Sequence, residues 1–114
     1  MEENVLYDTN MLIDYLKSGK KILTGYTTIF NVVEYPRALY LKGLRVLYPT
    51  NEEYRKAIEL SIKLRSKGTP VPAIDILIAS IALNRGLKIY TKDEHFKYIK
   101  NVEEALEIVI VKKS

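Results

Sequence analysis

The apolar positions of this chain fall into short runs and into longer stretches with helical spacing. Short runs rich in apolar and β-branched residues predict strands at residues 5–7, 26–28, 45–48, 87–90 and 107–111. Between them, apolar residues recur every three or four positions, which predicts helices over residues 11–16, 29–39, 52–66, 73–85 and 94–99. Strands that alternate with helices usually form a mainly parallel sheet between helical layers. The pattern therefore predicts an α/β fold, a three-layer α/β/α sandwich with a mainly parallel central sheet.

Residues that cap or break helices set the predicted boundaries. Thr28 is expected to cap the second helix, and Pro36 to kink it, because proline lacks the N–H group that a helix interior needs. Asn51 is expected to cap the third helix, whose inward face is predicted to include Ile58. The helix over residues 73–85 is apolar on nearly every side, so we expect it to be largely buried.

The length of the chain, 114 residues, fits one compact domain. No linker, internal repeat or low-complexity segment interrupts the pattern, so the domain is expected to cover residues 1–114. The apolar stretches are too short or too interrupted to span a bilayer. Residues 1–4 carry acid where a signal peptide would carry base. We therefore expect a cytoplasmic protein with no membrane partner.

The composition restricts the chemistry that the chain can perform. It has no cysteine, which excludes disulfides, thiolate zinc sites and cysteine nucleophiles. The single histidine, His95, is interpreted as an exposed residue at a helix start, so a metal is expected to have oxygen ligands, which favours Mg²⁺ or Mn²⁺ over Zn²⁺. The formal net charge of +4 suits a polyanionic partner such as nucleic acid, although an ordinary lysine-rich surface explains it equally well.

Four acidic residues are candidates for one shared site. Asp8 directly follows the first predicted strand, and Asp93 lies shortly after the fourth. Ligands of parallel sheets collect at the carboxyl ends of the strands, so these two acids are expected to face the same crevice. Asp75 and Glu34 lie among apolar residues, where the charge of a carboxylate needs compensation. A divalent cation would compensate that charge and promote phosphodiester hydrolysis.

Each of these acids also has a structural interpretation. Asp8 and Asp93 are each placed to cap the helix that follows. Asp75 lies in the first turn of a helix, where the helix dipole stabilises a negative charge. Glu34 could pair with Arg37 on the same helix. Both interpretations stay open for each acid taken singly, and only their joint occurrence favours a metal site.

Four motifs follow one another over nearly the whole chain. They are VLYDTNMLI at residues 5–13, TIFNVVE at 28–34, PAIDILIASIA at 72–82 and GLKIYTKDEHF at 86–96. Through these motifs, their order and their separations, the sequence resembles the PIN domain family, in particular the compact VapC-type ribonuclease toxins.

The resemblance implies a PIN-like fold and a Mg²⁺- or Mn²⁺-dependent endoribonuclease that leaves 5′-phosphate and 3′-hydroxyl ends on RNA. It assigns metal binding and catalysis to Asp8, Glu34, Asp75 and Asp93. It assigns supporting hydrogen bonds to Thr9, Asn10 and Thr91. It also implies a homodimer and a small antitoxin protein, as in a VapBC-type toxin–antitoxin pair.

Other functions remain as alternatives to this interpretation. A housekeeping RNA-processing or DNA-repair nuclease of PIN type is one, and a non-catalytic PIN-like nucleic-acid-binding module is another, although all four acids are present. A phosphatase of the haloacid dehalogenase kind needs a second acid two residues after Asp8, where this chain has Asn10. A receiver domain needs an early acidic pair beside the sheet, and the pair at residues 2–3 lies too far forward.

Tyrosines and basic clusters are the remaining candidates for contacts with nucleic acid. The chain has nine tyrosines, for which packing in the core is favoured over base stacking. Two basic clusters are candidate phosphate contacts, with simple solvation equally open: Lys17, Lys20 and Lys21, and Arg37, Lys42 and Arg45.

Overall fold

The structure, a computed structural model, describes residues 4–112. Strands and helices alternate along these residues. In chain order the elements are β1 (Val5–Tyr7), α1 (Thr9–Lys17), β2 (Ile22–Thr28), α2 (Ile29–Glu34), a 3₁₀ turn (Pro36–Tyr40), β3 (Lys42–Leu47), α3 (Asn51–Ser66), α4 (Ala73–Arg85), β4 (Lys88–Thr91), α5 (His95–Val102) and β5 (Glu107–Ile110).

The strands of residues 4–112 form one sheet, in the order β3-β2-β1-β4-β5, and each pairing in it is parallel. Apolar cores lie on both faces, so the predicted three-layer α/β/α sandwich is confirmed. The chain builds the sheet outward from β1 to β3, then returns to β4 and continues outward to β5. The direction of winding therefore reverses between β1 and β4, and a crevice forms at such a point, outside the carboxyl ends of the strands.

The side chains of β1 divide between these two cores. Leu6 packs on the face covered by α3, α4 and α5, where Ile78 of α4 is among its buried neighbours. Tyr7 packs on the opposite face, with Leu12 of α1. Each fully buried aliphatic side chain contributes roughly 1.5–3 kcal/mol to stability. Burial of β1 on both faces keeps its carboxyl end, where Asp8 follows, in one position.

The second predicted helix is interrupted, and the strands on either side of it are longer than predicted. α2 ends at Glu34, and a 3₁₀ turn begins at Pro36. The steric demand of the proline ring on the preceding residue explains the break, because Tyr35 leaves the helical region, with φ −144° and ψ 81°. The first residues of β2 and β3 mix polar and apolar side chains, so the apolar runs did not predict them as strand.

The cap of the third helix lies one residue earlier than predicted. Thr50 is the cap, and Asn51 is the first helical residue, so the expectation for Asn51 is wrong. Thr50 Oγ1 accepts the N–H of Glu53 at 3.2 Å, and the Glu53 carboxylate accepts the N–H of Thr50 at 2.9 Å. The prediction that Ile58 faces inward is also wrong, since its side chain is exposed. The buried stripe of α3 contains Ala57, as predicted.

A buried ion pair joins α3 to α4. The fully buried carboxylate of Glu53 accepts hydrogen bonds from Arg85 Nε at 2.8 Å and Nη2 at 2.9 Å, and one from Asn84 Nδ2 at 2.9 Å. Burial opposes ionisation of Glu53, but these bonds, the Thr50 N–H and the Arg85 charge outweigh it and lower its pKa to about 2. The pair holds the far end of the helix whose first turn carries Asp75.

Within residues 4–112, no helix is both long enough and apolar enough to cross a membrane. Residues 1–3, on which the argument against a signal peptide partly depends, lie outside the described residues.

Candidate metal centre

The four candidate acids lie at the carboxyl edge of the sheet. Asp8 follows β1 and caps α1, and its backbone N–H donates to the Tyr90 carbonyl of β4 at 3.0 Å. Asp93 comes shortly after β4, and Asp75 is in the first turn of α4. Glu34 ends α2, the short helix that follows β2. The parallel sheet therefore places acids that are far apart in sequence at one edge, the edge at the carboxyl ends of the strands.

Asp8 is the most firmly held of these carboxylates. It is 6% exposed and accepts hydrogen bonds from the Thr9 N–H at 2.9 Å, Asn31 Nδ2 at 2.9 Å and Thr91 Oγ1 at 2.6 Å. Burial raises the pKa of Asp8, the three hydrogen bonds lower it, and the negative charge of Asp93 raises it further. The net direction is upward, so this carboxylate is well oriented but lacks a compensating positive charge.

Asp75 is the most strongly perturbed acid of the site. It is 9% exposed. Burial, together with the charges of Asp93, Asp8 and Glu34, raises the pKa of Asp75 to about 7. Among residues 4–112, no lysine or arginine forms an ion pair with any of these four acids. A buried acid that is repelled by its neighbours in this way is typical of a functional site.

Asp93 and Thr91 connect the acids at the end of β4. Thr91 Oγ1 accepts the N–H of Asp93 at 2.9 Å while donating to Asp8, so one hydroxyl joins both acids. Asp93 Oδ1 accepts the N–H of His95, the first residue of α5, at 2.9 Å. The Asp93 carboxylate thus accepts the first N–H of α5, but Glu94 occupies the cap position, so the interpretation of Asp93 as the helix cap is wrong. The same carboxylate belongs to the acid group.

Glu34 differs from the expectation for its surroundings. Its side chain is exposed at the end of α2, so the prediction of an apolar environment for it is wrong. It does not pair with Arg37 within the described residues, and it accepts a hydrogen bond of 2.5 Å from Thr9 Oγ1. Glu34 contributes to the raised pKa of Asp75 through its charge. It thus lies at the outer side of the acid group.

Asn10 joins the loop after β4 to the start of α1. Its Oδ1 accepts the N–H of Lys92 at 3.1 Å, and its Nδ2 lies 3.5 Å from both Asp8 Oδ2 and Thr91 Oγ1. Lys92 itself pairs with Asp14 of α1 and not with an acid of the site.

Asn31 is a buried residue beside the acids that was not among the predicted site residues. It is 0% exposed, and its Nδ2 donates to Asp8 Oδ1 and to Thr9 Oγ1, each at 2.9 Å. Its Oδ1 accepts the hydroxyl of Thr28 at 2.6 Å. The signal in the sequence was a threonine followed three residues later by an amide, because the two residues form a capping box at the start of α2.

His95 also belongs to the site, although the sequence interpretation set it aside as an exposed helix start. Its side chain is 48% exposed, but Nδ1 lies 2.9 Å from Asp93 Oδ1 and 3.7 Å from Asp75 Oδ2. Ligand atoms of these three side chains lie within 4.8 Å of one another. Asp8 and Glu34 are outside this tightest group. The presence of a single histidine two residues after Asp93 was the available signal.

The composition of this centre suits a hard divalent cation. Carboxylate oxygens converge without a compensating lysine or arginine among residues 4–112, and hydroxyl and amide groups orient them from behind. Mg²⁺ and Mn²⁺ are held by such oxygen donors. The residues present therefore fit a divalent metal centre.

A groove opens beside the acids, between the start of α5 and the end of β5. Its lining includes Asn10, Lys92, His95, Tyr98 and Lys112. Tyr98 is exposed, as are Tyr40, Tyr48 and Tyr54, so the expectation that tyrosines pack in the core is wrong for these four. The lysines at positions 17, 20 and 21 lie between the end of α1 and the start of β2, at the opposite edge of the sheet.

Comparison with known proteins gives a family match and several similar solved structures. The sequence model of the family described as PIN domain matches residues 32–102. No curated protein matches the chain. The chain is similar to the solved structure of DNA-bound VapBC from Salmonella typhimurium, with a TM-score of 0.76 and 21% identity over 93% of this chain and 96% of that chain. It is also similar to VapBC-5 from Mycobacterium tuberculosis, a member of a toxin–antitoxin family, with a TM-score of 0.73 and 22% identity over 95% and 99% of the two chains. VapBC2 from Rickettsia felis, bound to a promoter DNA fragment, gives a TM-score of 0.73 and 18% identity over 92% and 96%.

Proposed function

The chain belongs to the PIN domain family, and we propose that it is a divalent-metal-dependent endoribonuclease of VapC type. The single observation that carries the proposal is the position of Asp75. It is a buried acid with a pKa of about 7, and it lies close to Asp93 at the carboxyl edge of the sheet. Within residues 4–112, no lysine or arginine pairs with it. A cation that enters from solvent would relieve this repulsion.

We assign the ion to Asp8, Glu34, Asp75 and Asp93. When bound, Mg²⁺ or Mn²⁺ supplies positive charge that stabilises the phosphodiester as negative charge develops, and it lowers the pKa of water. The protein contributes orientation. Thr91 and Asn31 hold the two oxygens of Asp8 in place, and Thr9 holds Glu34. Carboxylates fixed in this way need little rearrangement when they bind a cation.

The groove beside the acids supports a single-stranded RNA substrate. Lys92 and Lys112 line it, and the exposed ring of Tyr98 offers a surface on which a base can stack. The formal net charge of +4 is compatible with a polyanionic substrate. We assign phosphate contacts to the lysines of the groove and not to those at residues 17–21, which lie at the opposite edge of the sheet.

The biological part of the proposal is a toxin neutralised by a small antitoxin. It is supported by the resemblance of the motifs and by the similar solved structures, which are those of VapBC proteins. A homodimer belongs to the same proposal and comes from the same resemblance, and a cytoplasmic location is proposed from the sequence pattern.

The direct test is cleavage of RNA by the wild type and by Asp75→Asn, each with Mn²⁺ or Mg²⁺. We expect Asp75→Asn to lose activity by at least about 100-fold, because the substitution removes a charge from the proposed ligand set. The matched control is Glu59→Gln, which neutralises an exposed acid on α3 and is expected to cleave like the wild type. Equal activity of Asp75→Asn and wild type would contradict the site. A wild type that binds the ion but cleaves no RNA would favour the non-catalytic module, and cleavage of DNA alone would favour a repair nuclease.

A further inference from the structure

His95 lies in contact with the acids that we assign to the metal. It is the only histidine of the chain, and its Nδ1 faces Asp93 Oδ1 at 2.9 Å and Asp75 Oδ2 at 3.7 Å. The backbone determines this placement, because Asp93 Oδ1 also accepts the N–H of His95. The imidazole is therefore anchored at the start of α5 beside both carboxylates.

The spacing of these atoms matches that of ligands around one ion. Neighbouring ligands in an octahedral shell with metal–ligand distances near 2.1 Å are about 3 Å apart. The distance from His95 Nδ1 to Asp93 Oδ1, 2.9 Å, is close to this value, the distance to Asp75 Oδ2, 3.7 Å, exceeds it, and the three donor atoms lie within 4.8 Å of one another.

A nitrogen donor changes which ion such a site prefers. Mg²⁺ strongly prefers oxygen ligands, whereas imidazole suits first-row transition ions such as Fe²⁺, Ni²⁺ and Zn²⁺. Mn²⁺, at the weak-binding end of that series, is held by oxygen ligands and also accepts an imidazole nitrogen more readily than Mg²⁺ does. We propose that His95 is a ligand of the ion held by Asp75 and Asp93, and that it makes the centre select a first-row transition ion over Mg²⁺. This inference rests on the proposed function and deepens it, because it names the class of ion that the centre takes.

The alternative role of His95 is a hydrogen bond to Asp93 with no contact to the ion. The two roles differ in one measurable property. A ligand brings a nitrogen nucleus into the first shell of the metal, whereas a hydrogen-bonding neighbour leaves a shell of oxygen alone. Since the chain has one histidine, an imidazole nitrogen signal from bound Mn²⁺ is assigned to His95 without further labelling.

The experiment measures binding of Mn²⁺ alone and Mg²⁺ alone to the full chain, purified without a histidine tag and stripped of metal. Pulsed electron paramagnetic resonance of the Mn²⁺ form detects ¹⁴N of a coordinated imidazole. We expect this signal in the wild type and its absence in His95→Ala. We expect His95→Ala to weaken Mn²⁺ binding by at least about tenfold and Mg²⁺ binding by about twofold or less. The control Glu94→Ala removes the adjacent exposed acid and is expected to keep both the signal and the affinities.

Two results would overturn the inference. One is Mn²⁺ bound by the wild type without an imidazole nitrogen signal, and the other is an equal loss of Mn²⁺ and Mg²⁺ affinity in His95→Ala. Asp75→Asn separates this failure from a failure of the proposed function. If it loses Mn²⁺ binding while His95→Ala retains it, the metal centre stands and the role of His95 falls. If the wild type binds neither ion, both proposals fall.

Discussion

Thr91 donates a hydrogen bond of 2.6 Å to Asp8, and this bond joins the carboxyl ends of β4 and β1, the strands between which the winding of the sheet reverses. The same Thr91 oxygen accepts the N–H of Asp93. One buried hydroxyl thus sets the separation of two acids that are 85 positions apart in the sequence. Its removal is expected to affect metal binding more than stability.

We expect Thr91→Val to weaken Mn²⁺ binding and RNA cleavage by roughly 10- to 100-fold, because valine keeps the shape but cannot hold either acid. Thr91→Ser is expected to restore most of the loss. The control is Thr27→Val. Thr27 is equally buried, and its hydroxyl donates to the Tyr7 carbonyl at 2.8 Å without touching an acid. Both valine variants are expected to lose about 1 kcal/mol in urea unfolding, but only Thr91→Val should lose metal affinity. Equal metal affinities for the two would contradict the prediction.

Asn31→Ala is expected to lower the free energy of unfolding by roughly 2–3 kcal/mol, because it removes the three buried hydrogen bonds that the Asn31 amide makes to Asp8, Thr9 and Thr28. Chemical denaturation by urea, followed by circular dichroism, measures this change. Asn101→Ala, at an exposed position of α5, is expected to change stability by about 0.5 kcal/mol or less. If Asn31→Ala lowers the free energy of unfolding no more than Asn101→Ala does, the hydrogen bonds of Asn31 contribute little to stability.

Asp75→Asn is expected to stabilise the protein when a chelator is present. The pKa of Asp75 is about 7 in the folded state against 3.8 for the free side chain, so the folded state binds more protons between these values. The stability of the wild type therefore falls as pH rises through this window, whereas the variant has no proton to lose at position 75. The advantage of Asp75→Asn should grow by on the order of 2 kcal/mol between about pH 5 and pH 8. Urea unfolding with EDTA at the two pH values measures it.

Addition of Mn²⁺ is expected to reverse this order, because the ion stabilises only the protein that binds it. A constant difference between Asp75→Asn and the wild type across these pH values would mean that repulsion among the acids does not destabilise the metal-free protein.

Glu53→Gln is expected to destabilise the protein at neutral pH by about 3 kcal/mol, because it leaves Arg85 without its buried counter-charge. The pKa of Glu53 is lowered to about 2 from 4.5, so its stabilising contribution is present above about pH 4.5 and is lost as the pH falls toward 2. The difference between wild type and variant should therefore shrink over this window.

The control for Glu53 is Glu103→Gln at the partly exposed pair with Lys56, which is expected to cost about 1 kcal/mol or less. Thermal or urea unfolding from about pH 2 to pH 7 measures both variants. A Glu53→Gln difference that is independent of pH would contradict the assigned ionisation.

The alternation of apolar runs and helical stretches was sufficient to predict the layered fold. Strand and helix periods are local properties, and alternating elements allow few topologies, so β1, α4 and the parallel sheet could be expected from the sequence. Boundaries were less predictable where local signals compete. Pro36 ended α2 where a kink was predicted, and Thr50 capped α3 in place of its neighbour Asn51. Adjacent residues of similar capping propensity are separated only by the contacts that each one makes in the fold.

For the site, the sequence by itself named the four candidate acids and predicted that Asp8 and Asp93 follow strand ends, because strand ends are visible in the pattern. Only the tertiary structure decided what surrounds them. In the structure, Asn31 donates a hydrogen bond to Asp8, and Glu34 is exposed. His95, the first residue of α5, lies beside Asp75. These relations join residues about 20 positions apart in the sequence. They depend on the direction in which side chains leave packed elements, which periodicity does not encode. The local sequence thus specifies the candidate metal ligands, and the pairing of β1 with β4 decides which of them lie close together.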